Sequence, residues 1–159
     1  YFKRRPHLDA WQISDAFAPA IMVGACVGRM GCFMAGCCHG APTESAVGIL
    51  FHRLTSPVHP TQLYDSFIAG VLGAGLLWRF HRRRFKGENI ALLLIFYPVL
   101  RATTEAFRGD AERGSFGPLS TSQMLSIPLL LIGIYLYATR ANKPSAAVQA
   151  RPSPDPSTP

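Results

Sequence analysis

The sequence predicts an all-α, polytopic membrane helical bundle with four transmembrane helices, and three observations predict it. Of the 159 residues 48% are apolar and only 16% are charged, against about 25% charged in soluble domains, and mean hydropathy is positive at +0.17. Four apolar windows occur, each near the ~20 residues needed to cross a hydrocarbon core. Between them, basic residues alternate loop by loop, for which a globular bundle in water gives no reason. The net charge of +7 would suit a nucleic-acid binder. Here it sits in short clusters between apolar runs and forms no stripe interleaved with aromatics, so no nucleic-acid partner is expected.

Residues 1–14 read as a basic cytoplasmic segment, 15–140 as the transmembrane domain and 141–159 as a tail. The chain starts at Tyr1 and not at Met, so a preceding portion is expected, and no signal peptide is legible. The windows are 17–36 (FAPAIMVGACVGRMGCFMAG), 62–80 (QLYDSFIAGVLGAGLLWRF), 89–107 (NIALLLIFYPVLRATTEAF) and 121–139 (TSQMLSIPLLLIGIYLYAT). Eleven Lys and Arg fall on the side of Lys3, Arg4 and Arg5, the 79–86 cluster, and Arg140, Lys143 and Arg151. Only Arg53, Arg108 and Arg113 fall on the other. The positive-inside rule then places both termini in the cytoplasm and the 37–61 and 108–120 loops outside. Gly24 with Gly28, and Ala69 with Gly73, are small-xxx-small pairs that would let helices approach closely. The tail, rich in Pro, Ser and Ala, shows no apolar periodicity and is expected to be disordered.

Charge inside the windows marks the candidate site. A bilayer tolerates Arg29, Arg101 and Glu105 only where they face protein or water. Tyr97, Arg101, Glu105 and Arg108 recur at four, four and three residues, which puts them on one helical face. Arg101 offers a planar fork of donors suited to phosphate or carboxylate. Either Arg101 and Glu105 merely neutralise one another, or the site holds an anion. Arg29, with no acidic partner in its own helix, leaves a surplus of positive charge that favours the anion. In SPVHPTQLYD (56–65) a proline on each side of His59 stiffens the chain. There His59, Gln62, Tyr64 and Asp65 gather hydrogen-bonding groups at the outer surface, either as wetted polar residues or as contacts to substrate.

GCFMAGCCHG (31–40) holds three cysteines and a histidine. As a metal site, Cys32, Cys37, Cys38 and His39 suffer from adjacent ligands that are expected to point in opposing directions, a poor tetrahedron, so no metal is assigned. A disulfide of Cys32 with Cys37 or Cys38 at the oxidising end of the span, and plain packing of small side chains, remain as readings.

The order DAFAPAIMVGACVGRMGCFMAGCCHGAPT, HPTQLYD, YPVLRATTEAFRGD and LSTSQMLSIPLLLIG resembles the prolipoprotein diacylglyceryl transferase family, whose pattern runs roughly GRxGNFxNxExxGRPT, HPxQLYE, YxxxRxxxExxR and LTxGQxLSIP. The resemblance covers about residues 15–134 and corresponds to the last four of the family's seven spans. It implies a bacterial inner-membrane enzyme, without a cofactor, that moves the diacylglyceryl group of phosphatidylglycerol to the lipobox cysteine thiol of a lipoprotein precursor. It further implies that Arg29 and Arg101 clamp the phosphate and that Glu105 orients Arg101. Tyr97, His59, Gln62, Tyr64 and Arg108 would contact substrate. Departures fall in the opening stretch, where Cys32, Ala35 and Cys37 stand for the family's Asn, Asn and Glu, and His39 for an aromatic. The family's His-Gly-Gly loop would lie upstream of Tyr1. A lipid-binding module without turnover, and a cysteine-based redox or metal membrane protein, are the competing functions.

Overall fold

The computed structural model describes residues 9–52, 54–105, 115–116 and 119–142. The basic residues before position 9, Arg53, Arg108, Arg113 and the tail from 143 onward lie outside the described residues. Among the described residues there are four helices: α1 (Ala10–Met34), α2 (Thr61–Phe80), α3 (Glu88–Glu105) and α4 (Thr121–Ala141). A two-residue antiparallel ladder, β1 (Ser115–Phe116) with β2 (Leu119–Ser120), precedes α4. α1 packs mainly on α2, and α3 mainly on α4.

Local chemistry sets the ends of these helices. α1 starts earlier than the apolar window because Asp9 is its N-cap, the carboxylate accepting a hydrogen bond from Trp11 N at 3.0 Å. Asp15, buried in α1, caps α3 from across the bundle. Its two oxygens accept from Gly87 N at 2.8 Å and Ile90 N at 3.2 Å, so donors that the first turn of α3 cannot satisfy itself find a charged acceptor. Gly87 allows this with φ of +94°, and a Cβ there would lie 2.8 Å from Trp11 Cε3. The same end is tied by Arg79 to Glu88 (2.6 Å), Lys86 to Asp9 (2.8 Å), and the Arg140 guanidinium 3.8 Å over the Trp11 ring. Prolines 19, 98 and 128 lie inside α1, α3 and α4, an arrangement costly in water and common where neighbouring helices satisfy the freed carbonyls.

The distribution of side chains is inverted relative to a water-soluble core. Among the described residues the largest fully buried side chains are polar, namely Gln62, Glu88, Asn89, Thr61, Asp15 and Ser66. Large apolar groups face outward, among them Val27 (67% exposed), Phe67 (73%) and Tyr135 (67%). The buried apolar cluster is small: Ala18, Met22, Leu76 and Leu93.

Two helices, α1 and the Met124–Ala141 part of α4, are long and apolar enough to cross a membrane, each with mean hydropathy of 1.5. α2 and α3, expected from their windows to span as well, do not reach that measure. α2 contains Asp65 and Arg79, and α3 contains Glu88, Arg101 and Glu105. Of the two small-residue pairs only one is at an interface. Ala69 and Gly73 are buried, and a Cβ on Gly73 would lie 3.2 Å from Met22 Cβ, whereas Gly24 and Gly28 face open space. The closest helix approach the glycines mark is at Gly133 of α4, where a Cβ would lie 2.9 Å from the backbone of Leu94 and Ile95.

Candidate functional site

A second group of charged residues, from α1, α2 and α3, meets at the end of the bundle opposite the Asp15 cap. Arg29 near the end of α1, Asp65 near the start of α2, and Tyr97 and Arg101 on α3 line one cleft of about 30 Å³. Its apolar walls include Met22, Leu72 and Leu100. That volume holds about one water molecule, so a larger ligand enters only if helices part or a side chain yields.

Each arginine is held by a carboxylate. Arg101 pairs with Glu105 at 2.7 Å, one turn along α3, and donates to Thr104 Oγ1 at 3.2 Å. Arg29 Nε lies 3.2 Å from Asp65 Oδ2. The surplus positive charge expected from the sequence is therefore absent from this group, since two arginines face two carboxylates. Asp65 lies on α2, outside the helical periodicity of α1 that carries Arg29, so proximity in sequence does not announce the pair. The signal lay in HPTQLYD, where Asp65 stands at the family's Glu. Tyr97 and Arg101 share the cleft as their spacing predicts, with Glu105 bound to Arg101, while Arg108 lies outside the described residues.

His59, Gln62 and Tyr64 are not among the cleft's lining residues. His59 belongs to a cap formed by residues 36–60, which folds back on itself, and Gln62 and Tyr64 lie in the first turn of α2 beneath it. Val58 exchanges hydrogen bonds with Ile49 (3.0 and 3.1 Å), and His59 bonds through its backbone to Gly40 (2.8 Å) and Ala41 (3.0 Å). His59 Nδ1 lies 3.4 Å from Tyr64 Oη. Gln62 is buried and donates from Nε2 to the Cys37 carbonyl at 2.7 Å, and Thr61 donates to the Cys38 carbonyl at 3.2 Å. Gln62 Oε1 has no hydrogen-bond partner among the described residues.

The cysteines are all reduced, with no disulfide among Cys26, Cys32, Cys37 and Cys38. Contrary to the expectation that Cys37 and Cys38 diverge, the sulfurs of Cys32, Cys37 and Cys38 lie within 4.8 Å of one another. The reason is a left-handed backbone at Gly36 (φ +67°) and at Cys38 (φ +61°). A hydrogen bond that its thiol donates toward Cys38, with the crowding of Cys38 and Cys32, pushes the Cys37 thiol above its ordinary range. His39 does not join the group. Its ring stacks on Phe51 at 6.1 Å, and its Nδ1 lies 3.3 Å from the Gly40 carbonyl.

Two apolar grooves reach the bundle surface. One, of about 460 Å³, runs between α3 and α4 along Pro98, Val99, Ala102, Ile127 and Leu130. The other, of about 410 Å³, lies between α1 and α2 along Cys26, Met30, Leu63, Phe67 and Val71.

These features define a helical bundle that encloses paired charges and turns hydrocarbon outward. The sequence profile of the prolipoprotein diacylglyceryl transferase family matches residues 1–139, and the chain belongs to that family. It is 39% identical over 131 residues to the phosphatidylglycerol–prolipoprotein diacylglyceryl transferase 2 of Clostridium perfringens, covering 79% of this chain and 51% of the relative. Proteins named phosphatidylglycerol–prolipoprotein diacylglyceryl transferase from Clostridium tetani (36% over 141 residues, 84% and 55%) and Rickettsia bellii (37% over 142 residues, 85% and 54%) are similarly close. The chain thus spans about half the length of the curated relatives it matches.

Proposed function

We propose that the protein of which this chain is part transfers the diacylglyceryl group of phosphatidylglycerol to the lipobox cysteine thiol of a lipoprotein precursor. The observation that carries this reading is the convergence of Arg29 and Arg101, from separate helices and in the family's motif positions, on one cleft with Tyr97. In the reaction the sulfur–carbon bond forms at the glyceryl carbon and the carbon–oxygen bond to phosphate breaks. Its electron pair leaves with glycerol phosphate, and the thiol proton is released, since the thiolate is the nucleophile.

Charge grows on the departing phosphate, so donors fixed beforehand accelerate the step most. Asp65 and Glu105 hold the two guanidiniums in place before substrate arrives. An arginine has five donors, so each can keep its carboxylate and still grip phosphate with the rest of its fork. The grooves on either side give the lipid's acyl chains lateral seats, and Tyr97 supplies a hydroxyl at the cleft. His59, Gln62 and Tyr64 shape the cap above it, with Arg108 as a further contact to substrate.

The same reading makes residues 15–140 a transferase-like domain of four spans in the bacterial inner membrane. Residues 1–14 and 141–159 are then cytoplasmic, and phosphatidylglycerol and the precursor are the partners. Outward apolar faces on all four helices and buried polar groups support the bilayer as solvent.

The test is transfer of labelled diacylglyceryl from phosphatidylglycerol vesicles to a lipobox peptide by the full-length protein. Arg101→Ala is expected to lower the rate by about 100–1000-fold, with Arg101→Lys recovering little of it because an ammonium lacks the bidentate fork. Near-normal transfer by Arg101→Ala would remove the clamp. One observation favours a second reading, a lipid-binding module without turnover: Cys37 occupies the position of the family's Glu. That reading predicts vesicle-lipid binding dependent on Arg29 and Arg101 with no transfer at all.

A further inference from the structure

We propose that Cys32, Cys37 and Cys38 form a tris-thiolate site for a soft, closed-shell metal cation, Zn(II) or Cu(I), independent of the transfer reaction. The three sulfurs are within 4.8 Å of one another, a separation that a small closing movement converts into joint coordination. Among the described residues no carboxylate or imidazole joins them. Three sulfur ligands without hard oxygen donors select thiophilic cations over magnesium or calcium. For Zn(II), three protein ligands leave the fourth position open to water or to another donor.

The backbone is built to bring these residues together. Adjacent side chains in extended chain point apart, and the left-handed φ of +61° at Cys38 reverses that. A residue with a Cβ adopts this conformation at a cost in strain, and it persists only where surroundings enforce it. Here they do. Gln62 and Thr61 at the start of α2 hold the carbonyls of Cys37 and Cys38 (2.7 and 3.2 Å). Cys37 N also bonds to the Cys32 carbonyl at 3.1 Å, and Gly40 N to the His59 carbonyl at 2.8 Å. Such pinned supports are what fixed ligand geometry requires.

Charge and protons also balance. A divalent cation displaces three thiol protons and leaves a complex with one net negative charge, and a monovalent cation leaves two. Cys37 is exposed, which gives a cation access.

The experiment uses the intact protein in detergent, reduced, desalted without oxygen, and titrated with Cd(II) as a spectroscopically visible closed-shell probe. The expected result is a thiolate-to-cadmium charge-transfer band that saturates at one Cd(II) per chain. Cys32→Ser, Cys37→Ser and Cys38→Ser should each abolish it, with helical circular dichroism retained, and Cys26→Ser should leave it unchanged. Competition with Zn(II) and with Cu(I) then identifies which cation displaces cadmium at the lower concentration. Absence of the band in the unsubstituted protein overturns the proposal without reliance on any variant. So does a band that survives all three serine substitutions. A Cys32–Cys37 or Cys32–Cys38 disulfide in protein purified without reductant, combined with no cadmium uptake after reduction, overturns it as well.

Discussion

Arg29 Nε lies 3.2 Å from Asp65 Oδ2 and joins α1 to α2 beside Tyr97 and Arg101. On the proposed function, Asp65 would position one arginine as Glu105 would the other. Asp65→Asn should slow lipid transfer by about 10–100-fold through loss of orientation, while Asp65→Glu, the family's residue here, should stay close to the unsubstituted rate. Stability should fall by less than the about 3–5 kcal/mol of a fully buried pair, because Arg29 is 26% exposed. Transfer assays and thermal midpoints in detergent check both. Equal rates for the Asn and Glu variants would mean that the carboxylate does not orient Arg29.

Glycines at helix interfaces separate from those on open faces. Gly133→Ala would place a Cβ 2.9 Å from the backbone of Leu94 and Ile95, where no flexible side chain can yield. It should cost about 1–3 kcal/mol by overpacking. Gly24→Ala meets nothing within 4 Å, so better helix propensity should leave stability unchanged or raise it by about 0.5–1 kcal/mol. Comparable losses for both variants, read as thermal midpoints of the full-length protein in one detergent, would contradict the packing of α4 on α3.

The helices were legible because twenty-residue apolar windows and a loop-by-loop charge bias are properties of contiguous sequence. Within α3, the Tyr97–Arg101–Glu105 face was legible for the same reason, since helical periodicity decides it. What was not legible depends on contacts between segments distant in sequence. Asp65 pairs with Arg29 from another helix, and Asp15 caps α3 across more than seventy residues. The convergence of Cys37 with Cys38 needs a left-handed backbone at a non-glycine residue, which residue type alone does not announce. Gln62 was read as a contact to substrate from its place in HPTQLYD, and its burial under the cysteine loop follows only from how the cap folds. Gly24 and Gly28 formed as good a small-residue pair as Ala69 and Gly73, and only the placement of α2 decided between them.

Acid should selectively weaken the contact between the start of α1 and the α2–α3 loop. A hydrogen bond from Lys86 holds the Asp9 carboxyl below its ordinary range, so the folded state favours the ionised form. The resulting stability is complete above the unfolded value of about 3.9 and is lost as pH falls through the lower folded value. Asp9→Asn keeps a side-chain acceptor for Trp11 N but loses the ion pair. The unsubstituted protein should therefore be the more stable near neutral pH, and its advantage should shrink below about pH 4. Thermal midpoints of the two proteins across that range measure the difference, and a constant gap down to about pH 2 would contradict the ion pair's contribution.

Opposite ends of the bundle should face opposite sides of the membrane. Arg79 in the last turn of α2 and Arg82, Arg83, Arg84 and Lys86 in the α2–α3 loop gather at one end, with Arg140 at the end of α4 stacked on Trp11. The cap at 36–60 sits at the other end with the charged cleft. Basic residues remain on the cytoplasmic side, so the α2–α3 loop should be inside and the cap outside. In full-length protein whose native cysteines are replaced, a cysteine introduced at exposed Ser56 should react with a membrane-impermeant maleimide in intact spheroplasts. One introduced at exposed Arg84 should react only after lysis. Labelling at Arg84 and protection at Ser56 would invert the topology. Equal labelling of both in sealed cells would mean that α2 does not cross the bilayer, despite the apolar face that Phe67, Val71 and Trp78 turn outward.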